Sequence, residues 1–237
     1  MENNMKFPTR FTAGGEQLTG CLVAHDKDQK PQVLFLHGAG AGTMQRQLPI
    51  AEYLLEKKGI ASFLFDFSGH GESSGTLATS SLARRVSEAE AALQFFDVTS
   101  PFSLCGFSMG GHVALELLAR YPVANLVLFY PGVYAAEAYS ESFGEGFSEI
   151  IRQPNSWKDA AVVKNLHTFS GNFLLVIGEE DTVIPPGVID MLDEAAQQAK
   201  KKEILKIPHA SHLFLQAYLQ NFETKMTLCE KIADYLT

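Results

Sequence analysis

The stretch Phe102–Gly111, FSLCGFSMGG, decides the fold of this chain. Its apolar first part, Phe102–Cys105, predicts a buried strand, and Met109–Arg120 after it has the apolar spacing of a helix. Between them the chain has the pattern G-x-S-x-G with Ser108 at its centre. The turn at such a serine is so sharp that flanking side chains would collide, so glycine is needed on both sides. The stretch therefore predicts a strand–turn–helix unit that exposes Ser108 as a candidate nucleophile.

The rest of the chain alternates short apolar runs with amphipathic segments. Further strands are predicted at Leu18–Ala24, Val33–Leu36, Ile60–Phe65, Asn125–Tyr130, Asn172–Ile177 and Glu203–Ile207. Further helices are predicted at Gln47–Lys58, Ser80–Phe96 (with Thr79 or Ser80 as N-cap), Val188–Lys200 and Phe222–Tyr235. This alternation predicts an α/β fold, in which helices cover both faces of a mostly parallel sheet. The length of 237 residues fits one such domain, spanning residues 1–237.

One segment, at about residues 133–171, is much longer than a usual connection between a strand and a helix. Its aromatic residues include Tyr134, Tyr139, Phe143, Phe147 and Trp157. We expect the segment to form a small helical cap over the site. It also holds Glu137, Glu141, Glu145 and Glu149, whose four-residue spacing would line one face of a helix. We interpret them as a solvated acidic face, and the alternative is a site for a metal or a cationic substrate.

The composition limits the kinds of partner that the chain is expected to bind. The formal net charge is −8, and the one basic cluster, Lys200–Lys202, is interpreted as a solvated helix end. Nucleic acid is therefore not expected to bind. No run reaches the about 18 apolar residues that a membrane span needs, so no integral membrane segment is expected.

Three cysteines, an odd number far apart, show no disulfide framework, and the N-terminus MENNMKF lacks the features of a secretory signal. Together these features favour the cytoplasm.

A second motif, His37-Gly38-Ala39-Gly40, directly follows a predicted strand. An acyl-transfer site needs N–H donors already in place for the oxyanion of its tetrahedral intermediate. The backbone N–H after the nucleophile, that of Met109, is one candidate. Ala39 is the candidate for the second donor, with Gly40 as the alternative. His37 is interpreted as a residue that braces this loop.

Three motifs together, HGAG at 37–40, DFSGHGES at 66–73 and GFSMGG at 106–111, resemble the α/β-hydrolase superfamily. The small esterases, serine aminopeptidase-like proteins and monoacylglycerol lipase-like proteins are the most similar members, and the resemblance runs from about Leu18 onward. It implies that Asp66, His70 and Ser73 belong to a structural loop. A metal cluster of Asp66, His70 and His37 has no ligand spacing to support it.

The resemblance also implies where the other members of a catalytic triad lie, in the order Ser, acid, His. The run GEEDTVIP at 178–185 resembles the family's G-x-x-D-x-x-x-P turn, which places the acid at Asp181, with the adjacent Glu180 as the alternative. The run IPHASHLF at 207–214 places the base at His212, just before an apolar–aromatic pair. His209 is the competing base, and a zinc pair of the two histidines lacks a third ligand.

The expected function is hydrolysis of a carboxylic ester by Ser108, His212 and Asp181, without cofactor or metal. The aromatic cap suggests a small-molecule substrate with an apolar or aromatic group, and the acidic cap weakly disfavours an anionic one. Thioesterases and aminopeptidases use the same machinery, so both stay as alternatives. A ligand-binding protein that has lost catalysis is the alternative from another class, and it would be expected to lack a triad residue. The sequence does not predict the oligomeric state.

Overall fold

The computed structural model describes residues 5–236, which form an eight-stranded sheet with helices packed against it. The strands are β1 Lys6–Ala13, β2 Glu16–Val23, β3 Val33–Leu36, β4 Ser62–Phe65, β5 Phe102–Phe107, β6 Val123–Phe129, β7 Asn172–Gly178 and β8 Lys201–Ile207. The α-helices are α1 Leu48–Lys58, α2 Leu82–Phe95, α3 Met109–Leu118, α4 Glu145–Arg152, α5 Pro186–Ala195, α6 Leu215–Gln220 and α7 Phe222–Leu236. Short 3₁₀ helices lie at Met44–Arg46, Leu77–Thr79, Ala136–Ala138, Ser156–Asp159 and Ala161–Leu166.

The strand order is β1-β2-β4-β3-β5-β6-β7-β8, and the six strands from β3 to β8 run parallel. Helices α1 and α7 pack together and contact the sheet, and α2 and α3 form a second packed pair. Strands β3, β4 and β5 are buried along their whole length, as strands covered on both faces should be. The predicted α/β fold with a mostly parallel sheet is confirmed, because continuous apolar runs are what such strands require.

The sequence reading missed the first strand. β1 pairs antiparallel with β2 through a hairpin, and β2 pairs antiparallel with β4, so one edge of the sheet is antiparallel. Gly14 and Gly15 form the turn at φ values of 55° and 85°, which suit a tight hairpin. Pro8 argued against a strand there, yet an edge strand tolerates proline because one of its sides has no partner.

Several boundaries also differ from the prediction. Helix α2 is capped by Ser81, whose side chain accepts a hydrogen bond from the N–H of Arg84, rather than by Thr79 or Ser80. Helix α5 ends at Ala195, so the lysine cluster does not lie at a helix end. Lys202 instead lies in β8 and pairs with Asp193 at 2.8 Å. The short helix α6 was not predicted.

The segment from residue 133 to residue 171 contains α4 and three of the 3₁₀ helices. Only Glu145 and Glu149 share a helix, so the prediction that four glutamates line one helix face was wrong. Glu137 lies in a separate 3₁₀ helix, and all four carboxylates are exposed. A small apolar cluster anchors the segment. Phe147 of α4 and Met109, the first residue of α3, are both buried in this cluster.

Among residues 5–236, none of the helices is both long enough and apolar enough to cross a bilayer.

Candidate active site

Ser108 lies at the turn between β5 and α3, in a backbone conformation that L-residues rarely adopt. Its φ and ψ are 49° and −117°. Hydrogen bonds hold this conformation, because the carbonyl of Ser108 accepts from the N–H groups of Gly111 at 2.9 Å and Gly132 at 2.8 Å. Strain of this kind persists only where the surrounding structure fixes the backbone.

The two glycines of the motif are required by close approach. A Cβ at Gly110 would overlap with the carbonyl oxygen of Leu36 at the end of β3. A Cβ at Gly106 would lie 2.7 Å from the carbonyl oxygen of Gly110. The helix and the strand therefore meet with no room for a side chain, which is the packing that the G-x-S-x-G pattern predicts.

Main-chain hydrogen bonds connect the loops at the carboxyl ends of neighbouring strands. The N–H of Ser108, after β5, donates to Phe129 at the end of β6 at 2.9 Å. The N–H of Tyr130, after β6, donates to Val176 in β7 at 2.8 Å. Glu179, after β7, donates in the same way to the last residue of β8 at 3.0 Å. The loops that carry the predicted site residues are thus tied to one another across the sheet.

Ser108, His212 and Asp181 meet at this edge of the sheet. The Nε2 atom of His212 lies 3.2 Å from Ser108 Oγ, and its Nδ1 atom lies 2.8 Å from Asp181 Oδ2. The side chains of His212 and Asp181 are 13% and 6% exposed. The ring of Tyr130 lies against the imidazole, with 4.7 Å between ring centroids. The structure therefore brings together the three residues that the sequence singled out, in the order hydroxyl, imidazole, carboxylate.

The environment of Asp181 keeps its carboxyl group ionised. Burial raises the pKa of Asp181, but hydrogen bonds from His212 and from the N–H groups of Ile184 and Val183 outweigh it, so the net pKa lies below the usual value. A carboxylate accepts, so the proton between the two side chains belongs to Nδ1 of His212. The lone pair of Nε2 then faces Ser108, as a general base requires.

The competing residues Glu180 and His209 contact each other instead. Their side chains lie 3.3 Å apart, and they are 62% and 90% exposed. His209 adopts a positive φ of 55°, at a turn that follows β8. Neither residue has a hydrogen bond to Ser108. The alternatives left open by the sequence therefore lie outside the cluster.

The predicted oxyanion donors, Ala39 and Met109, both carry N–H groups that donate no hydrogen bond within residues 5–236. The carbonyl of Gly38 belongs to the same peptide as the N–H of Ala39. That carbonyl accepts from His37 Nδ1 at 2.7 Å and from Arg85 Nη1 at 3.4 Å. Because C=O and N–H of a trans peptide point in opposite directions, these bonds turn the Ala39 N–H away from His37.

Side chains in and beside the predicted structural loop form hydrogen bonds with backbone groups. Nε2 of His37 accepts from the N–H of Phe67 at 3.0 Å, and Oδ1 of Asp66 accepts from the N–H of Met44 at 2.7 Å. The hydroxyl of Ser73 donates to the carbonyl of Asp66 at 2.6 Å. Burial and the charge of Arg85 hold the pKa of His37 well below its usual range. Within the described part of the chain, no group of three or more His, Cys, Asp or Glu side chains is arranged to hold a metal ion.

Two of the cavities formed by residues 5–236 lie next to the turn that carries Ser108. The smaller, of about 220 Å³, is lined by Ser108 and His212 together with Tyr130, Arg46 and Leu213. The larger, of about 770 Å³, lies under helix α4. Its lining includes Met109, Arg85, Phe143, Phe147, Glu145 and Glu149. Ala39 lines both cavities, so they adjoin at the loop that carries it.

The sequence reading missed Tyr130, Arg46 and Arg85. Tyr130 ends a predicted parallel strand, and ligands bind at the carboxyl ends of such strands, so a signal was present. Arg85 lies on the apolar face of α2, between Leu82 and Val86, where an arginine is out of place. No comparable signal marked Arg46.

His112 lies on α3, and its side chain is packed in the interior. It is 3% exposed, and neither of its ring nitrogens has a hydrogen-bond partner among the described residues. Burial lowers the pKa of His112 to about 3. It takes no part in the cluster around Ser108.

Comparison with known proteins agrees with this architecture. The model of the family described as serine aminopeptidase, S33, matches residues 27–157, more than half of the chain. No curated protein matches the chain.

Among solved structures, an α/β serine hydrolase homologue from Coxiella burnetii is 20% identical, with a TM-score of 0.67, covering 100% of this chain and 99% of that chain. The esterase Pf2001 from Pyrococcus furiosus is 19% identical, with a TM-score of 0.70, covering 98% and 93%. The thioesterase domain from the curacin biosynthetic pathway is 18% identical, with a TM-score of 0.71, covering 97% and 99%. At these identities the structures show a shared fold, which is that of the α/β hydrolases, so the predicted resemblance to the superfamily is confirmed.

Proposed function

The chain belongs to the serine aminopeptidase S33 family of hydrolases, and on that premise we propose that it cleaves a carboxylic ester of a small molecule. Ser108 is the nucleophile, His212 the general base and Asp181 the acid that orients the base. One observation carries the proposal: Nε2 of His212 lies 3.2 Å from Ser108 Oγ, while a carboxylate holds the other ring nitrogen. That arrangement is what converts a weakly nucleophilic hydroxyl into a reactive one.

Acylation begins when Ser108 Oγ attacks the ester carbon and its proton passes to Nε2 of His212. The carbonyl oxygen becomes an oxyanion, which the N–H groups of Ala39 and Met109 stabilise. The carbon–oxygen bond to the leaving group then breaks, and the imidazolium returns the proton to the departing alcohol. Asp181 stays ionised throughout and stabilises the imidazolium.

Deacylation repeats these steps with water. His212 takes a proton from the water as the water oxygen attacks the acyl carbon, and it returns that proton to Ser108 Oγ as the bond to serine breaks. The products are one alcohol and one carboxylic acid. No step calls for a metal or a cofactor, because the hydroxyl, the imidazole and the backbone donors supply nucleophile, base and charge stabilisation.

The two cavities suit the two halves of an ester. His212 must reach the leaving oxygen to protonate it, so the leaving group belongs in the smaller cavity, which His212 lines. The acyl group then occupies the larger cavity, whose lining includes Phe143 and Phe147. Both rings come from residues 133–171, which we propose to be the cap of a single hydrolase domain. Apolar walls with few polar groups are typical of small-molecule pockets.

An aminopeptidase is the second candidate, and one observation favours it. Glu145 and Glu149 line the larger cavity, and exposed carboxylates of this kind can pair with the α-ammonium group of a peptide. Against it, Arg85 lines the same cavity and would repel an ammonium group. A panel of p-nitrophenyl esters, thioesters and aminoacyl p-nitroanilides separates these activities, and we expect kcat/KM to be highest for the esters.

A fluorophosphonate probe tests the proposal itself, because it labels only an activated serine. We expect the wild type to be labelled and the Ser108→Ala variant to remain unlabelled. Ester hydrolysis should fall in that variant by a factor on the order of 10⁶, the loss seen when the serine of a comparable triad is removed. Ser211→Ala, a change at an exposed serine beside His212, is the matched control and should label like the wild type.

Equal labelling of Ser108→Ala and the wild type would contradict the nucleophile. A wild type that neither labels nor hydrolyses any member of the panel would instead favour a ligand-binding protein without catalysis. We also propose the cytoplasm as its location, since the three cysteines are free and buried.

A further inference from the structure

Arg85 is a buried cation without a carboxylate partner. It lies on α2 and is 0% exposed, and its guanidinium forms no ion pair with a carboxylate among residues 5–236. Its Nη atoms make two long contacts with neutral acceptors, the carbonyl of Gly38 at 3.4 Å and Nε2 of His70 at 3.3 Å. Its Nε atom is buried and has no partner. Charged groups are seldom buried unless they are paired, so this arginine calls for an explanation.

The neighbouring arginine shows the usual arrangement. Arg84 pairs with Glu16 at 3.1 Å and with Glu88 at 3.3 Å, and its side chain is 26% exposed. Arg85 is instead flanked by the rings of Phe67 and Phe143, at 4.8 Å and 5.0 Å from the ring centroids. Aromatic faces attract a guanidinium but do not neutralise it. Among residues 5–236, no carboxylate therefore contacts the guanidinium of Arg85, although the charge of Glu88 acts on it without a direct contact.

The place for a carboxylate partner is the larger cavity, which Arg85 lines together with both predicted oxyanion donors, Ala39 and Met109. We propose that Arg85 binds a carboxylate carried by the acyl group, so that the substrate is a half-ester of a dicarboxylic acid. This inference rests on the proposed function, because it assigns the acyl half of the substrate to the larger cavity. A guanidinium with an unused donor suits a carboxylate, which takes charge-assisted hydrogen bonds in a defined geometry.

The other charged side chains around the cavity limit the anion to a single negative charge. Glu145 and Glu149 also line it, but both are exposed on α4, so water and salt screen them. Arg152 on the same helix offsets part of their charge. One buried cation among these groups balances a single negative charge, which favours a carboxylate over a phosphate dianion. The expectation that an acidic cap disfavours anionic substrates is thereby reversed for the acyl group.

The protonation state agrees with this role. Burial lowers the pKa of Arg85 to about 10, against the opposing influence of Glu88 and Tyr134. The side chain therefore stays charged at neutral pH.

Two matched substrates test the inference. Mono-p-nitrophenyl adipate carries a terminal carboxylate, and the p-nitrophenyl ester of adipic acid monoamide is a neutral mimic of the same length. We expect the wild type to have a kcat/KM at least about tenfold higher for the charged ester, because a buried hydrogen bond to a charged group stabilises by that order. In Arg85→Met the ratio should fall to about one or below, and Arg85→Lys should keep part of it. The ratio cancels any general loss from the contacts of Arg85 with Gly38 and His70.

Arg84→Met is the matched control. It removes an adjacent arginine that does not line the cavity, so it should leave the ratio unchanged, although the loss of a partner for buried Glu88 should lower its stability. A wild type with no preference for the charged ester would overturn the inference, and so would an Arg85→Met variant that keeps the preference. In either case hydrolysis of the neutral ester through Ser108 would leave the proposed function intact.

Binding gives a second measurement that does not depend on turnover. By isothermal titration calorimetry, Ser108→Ala should bind adipic acid monoamide, which carries one carboxylate, at least about tenfold more tightly than the neutral diamide adipamide, and Ser108→Ala/Arg85→Met should lose this difference. Equal binding of the two ligands by Ser108→Ala would contradict the carboxylate site. A preference for the monoamide in a chain that hydrolyses no ester would contradict the proposed function and keep the site.

Discussion

Residues 5–236 contain two histidine–aspartate pairs, and only one of them has a ring nitrogen that faces a serine hydroxyl. In the first, Nδ1 of His212 lies 2.8 Å from Asp181, and Nε2 faces the hydroxyl of Ser108. In the second, Nε2 of His37 lies 3.9 Å from Asp66, but that nitrogen accepts from a backbone N–H and Nδ1 contacts a backbone carbonyl. A short distance to a carboxylate therefore does not identify a histidine as a general base. The group that the other ring nitrogen contacts does identify it.

Exposure separates the two pairs further. The side chain of His212 is 13% exposed and borders a cavity, whereas that of His37 is 1% exposed and has both nitrogens occupied. A ring without a free nitrogen cannot take a proton from a substrate or a serine. The second pair is thus a brace for the loop that carries Ala39, and the first is the proposed acid–base centre.

The difference between the two pairs can be tested by substitution, and we expect the largest effect on activity from His212→Ala. We expect kcat for short p-nitrophenyl esters to fall by a factor on the order of 10⁶, because no other side chain among residues 5–236 forms a hydrogen bond with Ser108 Oγ and could take its proton. The midpoint of thermal unfolding should stay close to that of the wild type. His209→Ala is the matched control and should keep nearly full activity, since that side chain is 90% exposed and pairs with Glu180. A larger loss from His209→Ala than from His212→Ala would move the base.

The next effect concerns stability. His37→Ala leaves the N–H of Phe67 without its partner, whereas the carbonyl of Gly38 keeps Arg85 Nη1. A buried unsatisfied group costs about 1–3 kcal/mol, and truncating a buried ring to alanine adds the cost of a cavity. We therefore expect the free energy of unfolding to fall by more than about 2 kcal/mol, measured by urea denaturation. A variant that is as stable as the wild type but inactive would indicate that His37 takes part in catalysis, and it would contradict the difference drawn between the two pairs.

The smallest effect separates burial from hydrogen bonding. His112 is suited to this test because its ring nitrogens have no hydrogen-bond partner among residues 5–236, and its Nε2 atom lies 4.0 Å from the carboxylate of Glu116. Its pKa in the folded protein is about 3, below the usual value of about 6.5 that the unfolded chain should show. The unfolded state then binds the proton first, so the stability contributed by the neutral ring is present above pH 6.5 and lost as pH falls below it. Between pH 8 and pH 5 the loss should be about 2 kcal/mol.

Urea unfolding of the wild type and of His112→Phe at both pH values measures this loss. The wild type should lose more stability than the variant, by about 2 kcal/mol. The pKa values of His37 and His70 are also lowered by burial, so a smaller loss should persist in the variant. Identical losses in the two proteins would mean that His112 is not the group that titrates.

Much of this architecture could be predicted because parallel strands buried on both faces appear in sequence as plain apolar runs. The stretch from Val33 to Leu36 is an example, and its predicted and observed limits coincide. The hairpin strand β1 was missed because Pro8 and its alternating polar residues obscure the pattern at the sheet edge. Ser108 could be found from the glycines around it, whereas Asp181 and His212 came from family resemblance, and only coordinates bring them to Ser108.

The segment from residue 133 to residue 171 shows what sequence patterns could not give. Four glutamates at regular spacing predicted one helix, but the chain forms four short helical pieces, and only two of the glutamates share one. Regular spacing has this meaning only while a helix continues, and here α4 begins after Gly144. Likewise, the sequence places Arg85 on an apolar helix face, but the role of Arg85 depends on which groups face it across the fold, and the sequence does not show them.

Main-chain hydrogen bonds connect the loop after a strand to the neighbouring strand. These bonds affect which positions of such a protein can change during evolution. They run sideways from the loop of Ser108 to the end of β8, and they involve no side chain. Substitutions in the cavities therefore leave them in place. Positions that line the cavities, such as Phe143 and Arg85, can therefore change during evolution while Ser108, His212 and Asp181 keep an alignment that is fixed by the order of the strands.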